Sequence, residues 1–89
     1  MNAIVTVVGK DRVGIIAGVS SAMAELNINI LDISQTIMDN YFTMIMMVDI
    51  AGSSADISET RKKLDQTGEE FNVTINLQHK DVYEAMHRI

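Results

Sequence analysis

The 89-residue chain contains no cysteine, which excludes disulfides, thiolate metal sites and thiol redox couples together. It has no proline and no Gly/Ser-rich stretch, so nothing reads as a linker, and a chain this short is expected to form a single domain over residues 1–89. Positive charge is scarce: seven basic residues against twelve acidic ones leave a net charge of −5. Such a surface repels phosphate backbones and anionic lipid, which argues against direct contact with nucleic acid or membrane. No apolar run approaches the roughly 18 residues of a membrane span. The opening MNAIVTVVGKD lacks the basic and apolar regions of an export signal, so a cytoplasmic location is expected.

What is present suits a folded protein: 47% of residues are hydrophobic and 21% charged. A chain of this length buries only about 60–65% of the surface its unfolded form exposes, so it gains from association.

Residues Ala3–Val8 form a β-branched run that predicts a strand covered on both faces. GKDRVGII follows, with Gly9 and Gly14 at the spacing of a phosphate-binding loop. That loop type needs Lys and then Ser/Thr after its second glycine; Ile15 and Ile16 stand there instead, and the nucleotide reading fails. From Gly14 to Leu26, Ile15, Ile16, Val19, Met23 and Leu26 recur at helical spacing among small residues. Those small residues suggest that something approaches the outer side of this helix closely, and Asp11 is its expected cap.

INILDISQTIMDNYFTMIMMVDI, residues 28–50, predicts two strands joined at Asp39–Asn40, residue types that tolerate a tight hairpin. Ile28 and Ile30 are out of phase with Leu31, Ile33 and Ile37, which predicts a bulge. Phe42, Met44, Met46, Val48 and Ile50 alternate on one face, so Met44 and Met46 read as core filler more than as a flexible binding groove. Tyr41, Ile45 and Met47 lie on the opposite face, which the tail or another subunit would cover.

Ser53 or Ser54 is expected to cap a second helix, with Ser53 and Asp56 approximating a capping box. Ile57, Leu64 and Phe71 share its stripe, and the position of Phe71 favours a helix continuing through Gly68. Val73, Ile75 and Leu77 alternate in a final half-buried strand, and DVYEAMHRI predicts a helix over 81–89 capped by Asp81. Nine residues are too few to hold a helix unsupported, so the tail must dock on its own sheet, a second subunit or a partner. The order β-α-β-β-α-β over residues 1–80 predicts an α+β ferredoxin-like sandwich, with a four-stranded antiparallel sheet and two helices on one face.

That fold hosts many functions. An RNA-recognition domain would carry exposed stacking aromatics on a basic surface, and YFTMIMMV offers methionines. A soft-metal chaperone needs a cysteine pair. Catalysis needs a nucleophile beside a base, and the only histidines, His79 and His87, flank the tail. They could share a metal, but surface histidines near a cap are the simpler account. No catalytic residue, resident metal or cofactor is assigned.

The stretch VVGKDRVGIIAGVSSAMAELNINILDISQTI resembles an ACT domain. The similarity runs from about residue 3 to residue 50, and the later element order agrees with it. Asp11-Arg12-x-Gly14 and Asn29 carry it most specifically, and among ACT proteins the chain is similar to stand-alone copies and to the units of a glycine-cleavage transcriptional regulator. The resemblance implies an amino acid held between the loop after the first strand and the start of the second strand of a neighbouring subunit. By position this implicates Asp11, Arg12, Gly14, Ile15 and Asn29 as ligand-binding residues. Val13 departs from the family, which usually has proline there, so the loop is less pre-set.

The residues suit a zwitterion in their own right. Free N–H groups and the positive dipole end of the helix starting at Gly14 fit a carboxylate. Asp11 suits an ammonium group, and the Asn29 amide suits either end. The same residues also have plainer uses: Asp11 as a cap, Gly14 for packing, Asn29 in a turn. In this topology residues Ile28–Met38 form an edge strand with Asp32 as its single charge, so nothing discourages pairing into a two-fold homodimer with pockets at the seam. Two functions follow: a regulatory module that binds an amino acid or similar small carboxylate and signals to a partner protein, or a dimerisation or docking module without a small ligand.

Overall fold

The computed structural model describes residues 2–53 and 55–86, the side chains of Tyr83 and Met86 excepted. The elements are β1 (Asn2–Lys10), α1 (Ile15–Glu25), β2 (Asn29–Met38), β3 (Tyr41–Asp49), α2 (Ile57–Phe71), β4 (Val73–His79) and α3 (Lys80–Met86). The strands form one sheet in the order β2-β3-β1-β4, and each neighbouring pair is antiparallel. With α1 and α2 over the sheet this is the ferredoxin-like arrangement, to which α3 adds a short C-terminal helix.

The core lies between the sheet and these two helices. Val5, Val7, Met44, Met46 and Val48 of the central strands meet Ile15, Val19 and Met23 of α1 and Leu64 of α2. Met44 and Met46 are wholly buried, as filler should be. Ile4 points to the opposite face yet is also buried, and α3 is the element that packs against β1 and β4.

The hairpin forms where expected. Asp39 and Asn40 both have positive φ, 48° and 72°, and Met38 pairs with Tyr41 across them, the geometry of a type I′ turn. The phase change in β2 is a register shift between Ile30 and Asp32. Beyond it, Ile33 and Ile37 sit on the helix side of the sheet but remain 42% and 55% exposed, on the strand that forms one edge of the sheet. Leu31 is exposed as well.

Helix α2 does continue through Gly68, which is buried. A Cβ there would lie 2.6 Å from the Val73 carbonyl oxygen, so glycine lets the helix lie directly on β4. Ile57, expected on the apolar stripe, is 40% exposed at the start of the helix.

Three expected caps are corrected. Asp11 does not cap α1; the N-cap is Gly14 at φ 93°, with no side-chain hydrogen bond to the first turn. Asp56, and not Ser53, caps α2, its carboxylate accepting from the Glu59 N–H at 2.8 Å. Ser53 is engaged by a local turn, its Oγ accepting from the Ala55 N–H at 3.3 Å, and Ser54 lies outside the described residues. Asp81 sits inside the first turn of α3, which starts at Lys80. The expected tail residues 87–89 lie outside the described residues.

Candidate functional site

The loop between β1 and α1 is held by close packing at one margin and by a left-handed turn at the other. At Gly9 an added Cβ would lie 2.7 Å from Val73 Cγ1 and 3.1 Å from the Asn72 carbonyl oxygen, so β4 begins directly against it. The Asp11 N–H then donates to the Asn40 carbonyl at 2.7 Å, tying the loop to the β2–β3 hairpin. Gly14 turns the chain into α1 with a left-handed φ of 93° that side chains rarely adopt. The Gly9–Gly14 spacing thus has two separate causes: a close strand approach and a left-handed helix entry.

The first N–H groups of any helix lack intrahelical acceptors. In α1 no side chain caps them and the first turn holds no acidic residue. Asp11, Arg12 and Gly14 are exposed around it. Ile15, expected at the ligand, points its side chain into the core at 2% exposure, leaving only its backbone N–H for the loop. The Arg12 guanidinium lies over the Phe71 ring, 6.0 Å from its centroid.

Asn29 is exposed at the opposite end of the sheet. Lys10, which leads into the loop, pairs with Tyr41 at one end of β3, and Asn29 pairs with Asp49 at the other. The length of that strand puts about 27 Å between them. One chain therefore brings Asp11, Arg12 and Gly14 together but leaves Asn29 far away. The residue beside Asn29, Asp49, accepts from the Ala51 N–H at 2.9 Å, and this bond holds its carboxyl below the usual range.

Grooves lie elsewhere among the described residues, two of them along the helices. One of about 470 Å³ follows α2 and the start of β4, lined by Asp65, Gly68, Glu69 and Asn72. Another of about 290 Å³ lies between α1 and α2, with Gly18, Ser21, Lys63 and Phe71 among its walls. The first reaches Gly9 at the margin of the loop, but neither includes Asp11, Arg12, Gly14 or Asn29. Among the described residues no cluster of three or more His, Asp or Glu side chains could hold a metal, and no helix is long and apolar enough to cross a membrane. His79 ends β4, while His87 lies outside the described residues.

Three features of the site region escaped the sequence. Gly18 is where the Phe71 ring rests, so at least one small residue of α1 serves a contact within the chain. Asn27, at φ 56°, donates through Nδ2 to the Gly52 carbonyl at 2.7 Å and fixes the turn just before Asn29. Asn72, at φ 57°, closes α2. Asparagine's tolerance of left-handed backbone was a usable signal for the last two.

The edges of the sheet differ. On β4, Arg61 donates through Nε and Nη2 to the Leu77 carbonyl, at 3.4 and 3.1 Å. On β2, the Met38–Tyr41 pair closes a two-residue turn and so is hydrogen-bonded, which directs the backbone groups of Ile33, Gln35 and Ile37 to the free edge. The Ile33 N–H is met there by the Asp32 carboxylate at 2.9 Å.

A model of the ACT domain matches residues 2–78. A UPF0237 protein of Listeria innocua is 53% identical over 89 residues, the whole of both chains. An ACT domain protein from Streptococcus pneumoniae, 48% identical, superposes with a TM-score of 0.82 and covers 98% of each chain. The regulatory subunit of aspartate kinase from Thermus thermophilus shares the fold at 24% identity and a TM-score of 0.68, over 86% of this chain and 50% of that one.

Proposed function

The chain belongs to the ACT-domain family, and from this we propose that it is a non-catalytic regulatory module that binds an amino acid or similar small carboxylate at a homodimer seam and signals to a partner protein. Members of the family are regulatory modules for amino acids or other small ligands. The observation that carries the reading is the division of the expected site: Asp11, Arg12 and Gly14 at one end of the sheet, Asn29 at the other, and between them an edge strand whose backbone groups face outward.

A two-fold pairing of β2 with β2 of a second copy runs antiparallel and exchanges the ends. Centred on Gln35, it sets Ile33 opposite Ile37 of the second copy, a favourable cross-strand pair. It also carries Asn29 of the second copy to the Asp39–Asn40 turn, which the Asp11 N–H already holds. The α1 N-terminus then takes the ligand carboxylate, Asp11 takes the ammonium, and the Asn29 amide closes the far side. A ligand bridging the seam stabilises the dimer over free subunits, and this is the signal a partner protein reads.

Thermal denaturation with each common amino acid tests the proposal. A ligand at about 100 times its dissociation constant adds about 2.7 kcal/mol, which raises the midpoint of a domain this size by several degrees. Asp11→Ala abolishes the shift and keeps the fold, since Asp11 caps nothing. If no amino acid shifts the wild-type midpoint while a stable protein partner is recovered, the module docks proteins without a small ligand.

A further inference from the structure

One ring touches the loop from a part of the chain that the ligand reading does not use. Phe71, the last residue of α2, is half-buried and packs against the core. Its Cε2 and Cζ lie 2.2 and 2.4 Å from where a Cβ on Gly18 would stand, so the ring fills the place of a side chain on α1. Its Cε1 lies 3.5 Å from the corresponding point on Gly14, so the edge of the ring faces the turn into α1. Arg12 covers the ring at 6.0 Å. A single side chain therefore reaches the loop, the turn into α1 and the first full turn of the helix.

The Asp11 N–H bond to the Asn40 carbonyl ties the start of the loop, and beyond Asp11 the loop has few other anchors. It contains no proline, no side chain caps α1, and Val13 is 97% exposed. We infer that Phe71 is a positioning residue for this loop: its ring, seated in the notch at Gly18, holds Arg12 and the Gly14 turn in place and so presents the first N–H groups of α1 to the ligand. The inference rests on the proposed ligand site for its consequence, though not for the contact itself. It makes the C-terminus of α2 the element through which loop order and ligand affinity are linked.

Backbone ¹⁵N relaxation on the full chain tests it with Phe71→Leu, Gly18→Ala and the double variant. In the wild type, residues 11–14 are as ordered as α1. Phe71→Leu removes the ring, and Gly18→Ala drives it from its notch while favouring the helix. Each lowers the order parameters of residues 11–14 to below about 0.6, leaving α1 rigid. Because both act through one contact, the double variant is no looser than Phe71→Leu.

The amino acid that most raises the wild-type midpoint serves as the probe of affinity. It binds Phe71→Leu about tenfold more weakly if the loop is ordered about a tenth of the time. An ordered loop in Phe71→Leu, additive effects in the double variant, or undiminished affinity with a loosened loop overturns the inference. If the loop loosens as expected while no amino acid shifts the wild type, the positioning role stands and the ligand reading fails.

Discussion

At Gly68 two residue-scale effects oppose each other. Alanine favours a helix interior by about 1 kcal/mol over glycine, but its Cβ would stand 2.6 Å from the Val73 carbonyl oxygen, a backbone atom with little freedom to retreat. Overpacking of a filled interior costs about 1–3 kcal/mol. Gly68→Ala is therefore expected to lower stability, by up to about 2 kcal/mol in urea denaturation. Unchanged or raised stability would mean that α2 stands further from β4. Such contacts mark the limit of what the chain discloses unfolded. The continuation of α2 through Gly68 was legible, because Phe71 extends the apolar stripe. The reason for the glycine was not, because it lies in a strand that starts five residues later and folds back underneath. Gly18 and Phe71 show the same limit at longer range: each was legible on its own helix, and their contact arises only once the helices are laid side by side.

Caps were less legible than the elements they close. The hairpin needs left-handed residues, and Asp39 and Asn40 supply them in a local code. The bulge is likewise local, written in the phase of Ile28 and Ile30 against Ile33 and Ile37. Between β3 and α2, however, Ser53 and Asp56 are both good cap formers, and the choice between them depends on the turn before them. The Ser53 N–H donates to the Ile50 carbonyl at 3.1 Å and its hydroxyl is used by Ala55, so Asp56 is left extended at φ −77° and ψ 175° to receive the Glu59 N–H. Asp56→Ala should cost about 1 kcal/mol, with Ser53→Ala costing less, by paired chemical denaturation. The reverse order would return the cap to Ser53. That Asp11, Arg12 and Gly14 share one loop was legible because they lie within four residues of one another. The burial of the Ile15 side chain was legible in its helical spacing with Val19 and Met23, and only the resemblance had set it at the ligand.

At the scale of the molecule, the two edges of the sheet carry opposite instructions. Arg61 occupies the Leu77 carbonyl of β4 and α2 presses on Val73, which discourages another strand there. Strand β2 has one charged residue, Asp32, and its Ile33 and Ile37 side chains face an uncovered margin beside α1, where Ile16 is 41% exposed. That apolar margin is costly to leave in water for a chain with so small a core, and its relief by a second copy is what would complete the divided site. Ile37→Lys sets a like charge near its symmetry mate and exposes the strand. It is expected to shift the protein from dimer to monomer in sedimentation velocity at micromolar concentration and to abolish the amino-acid thermal shift with it. Ile45→Lys, on the opposite face of the neighbouring strand, should do neither. If Ile37→Lys remained dimeric while Ile45→Lys dissociated, the subunits would meet through the outer face of the sheet, and Asn29 could not reach the loop of a neighbour. If the dimer fell apart but the shift survived, the loop would bind its ligand within one chain, and the seam would serve stability instead of sensing.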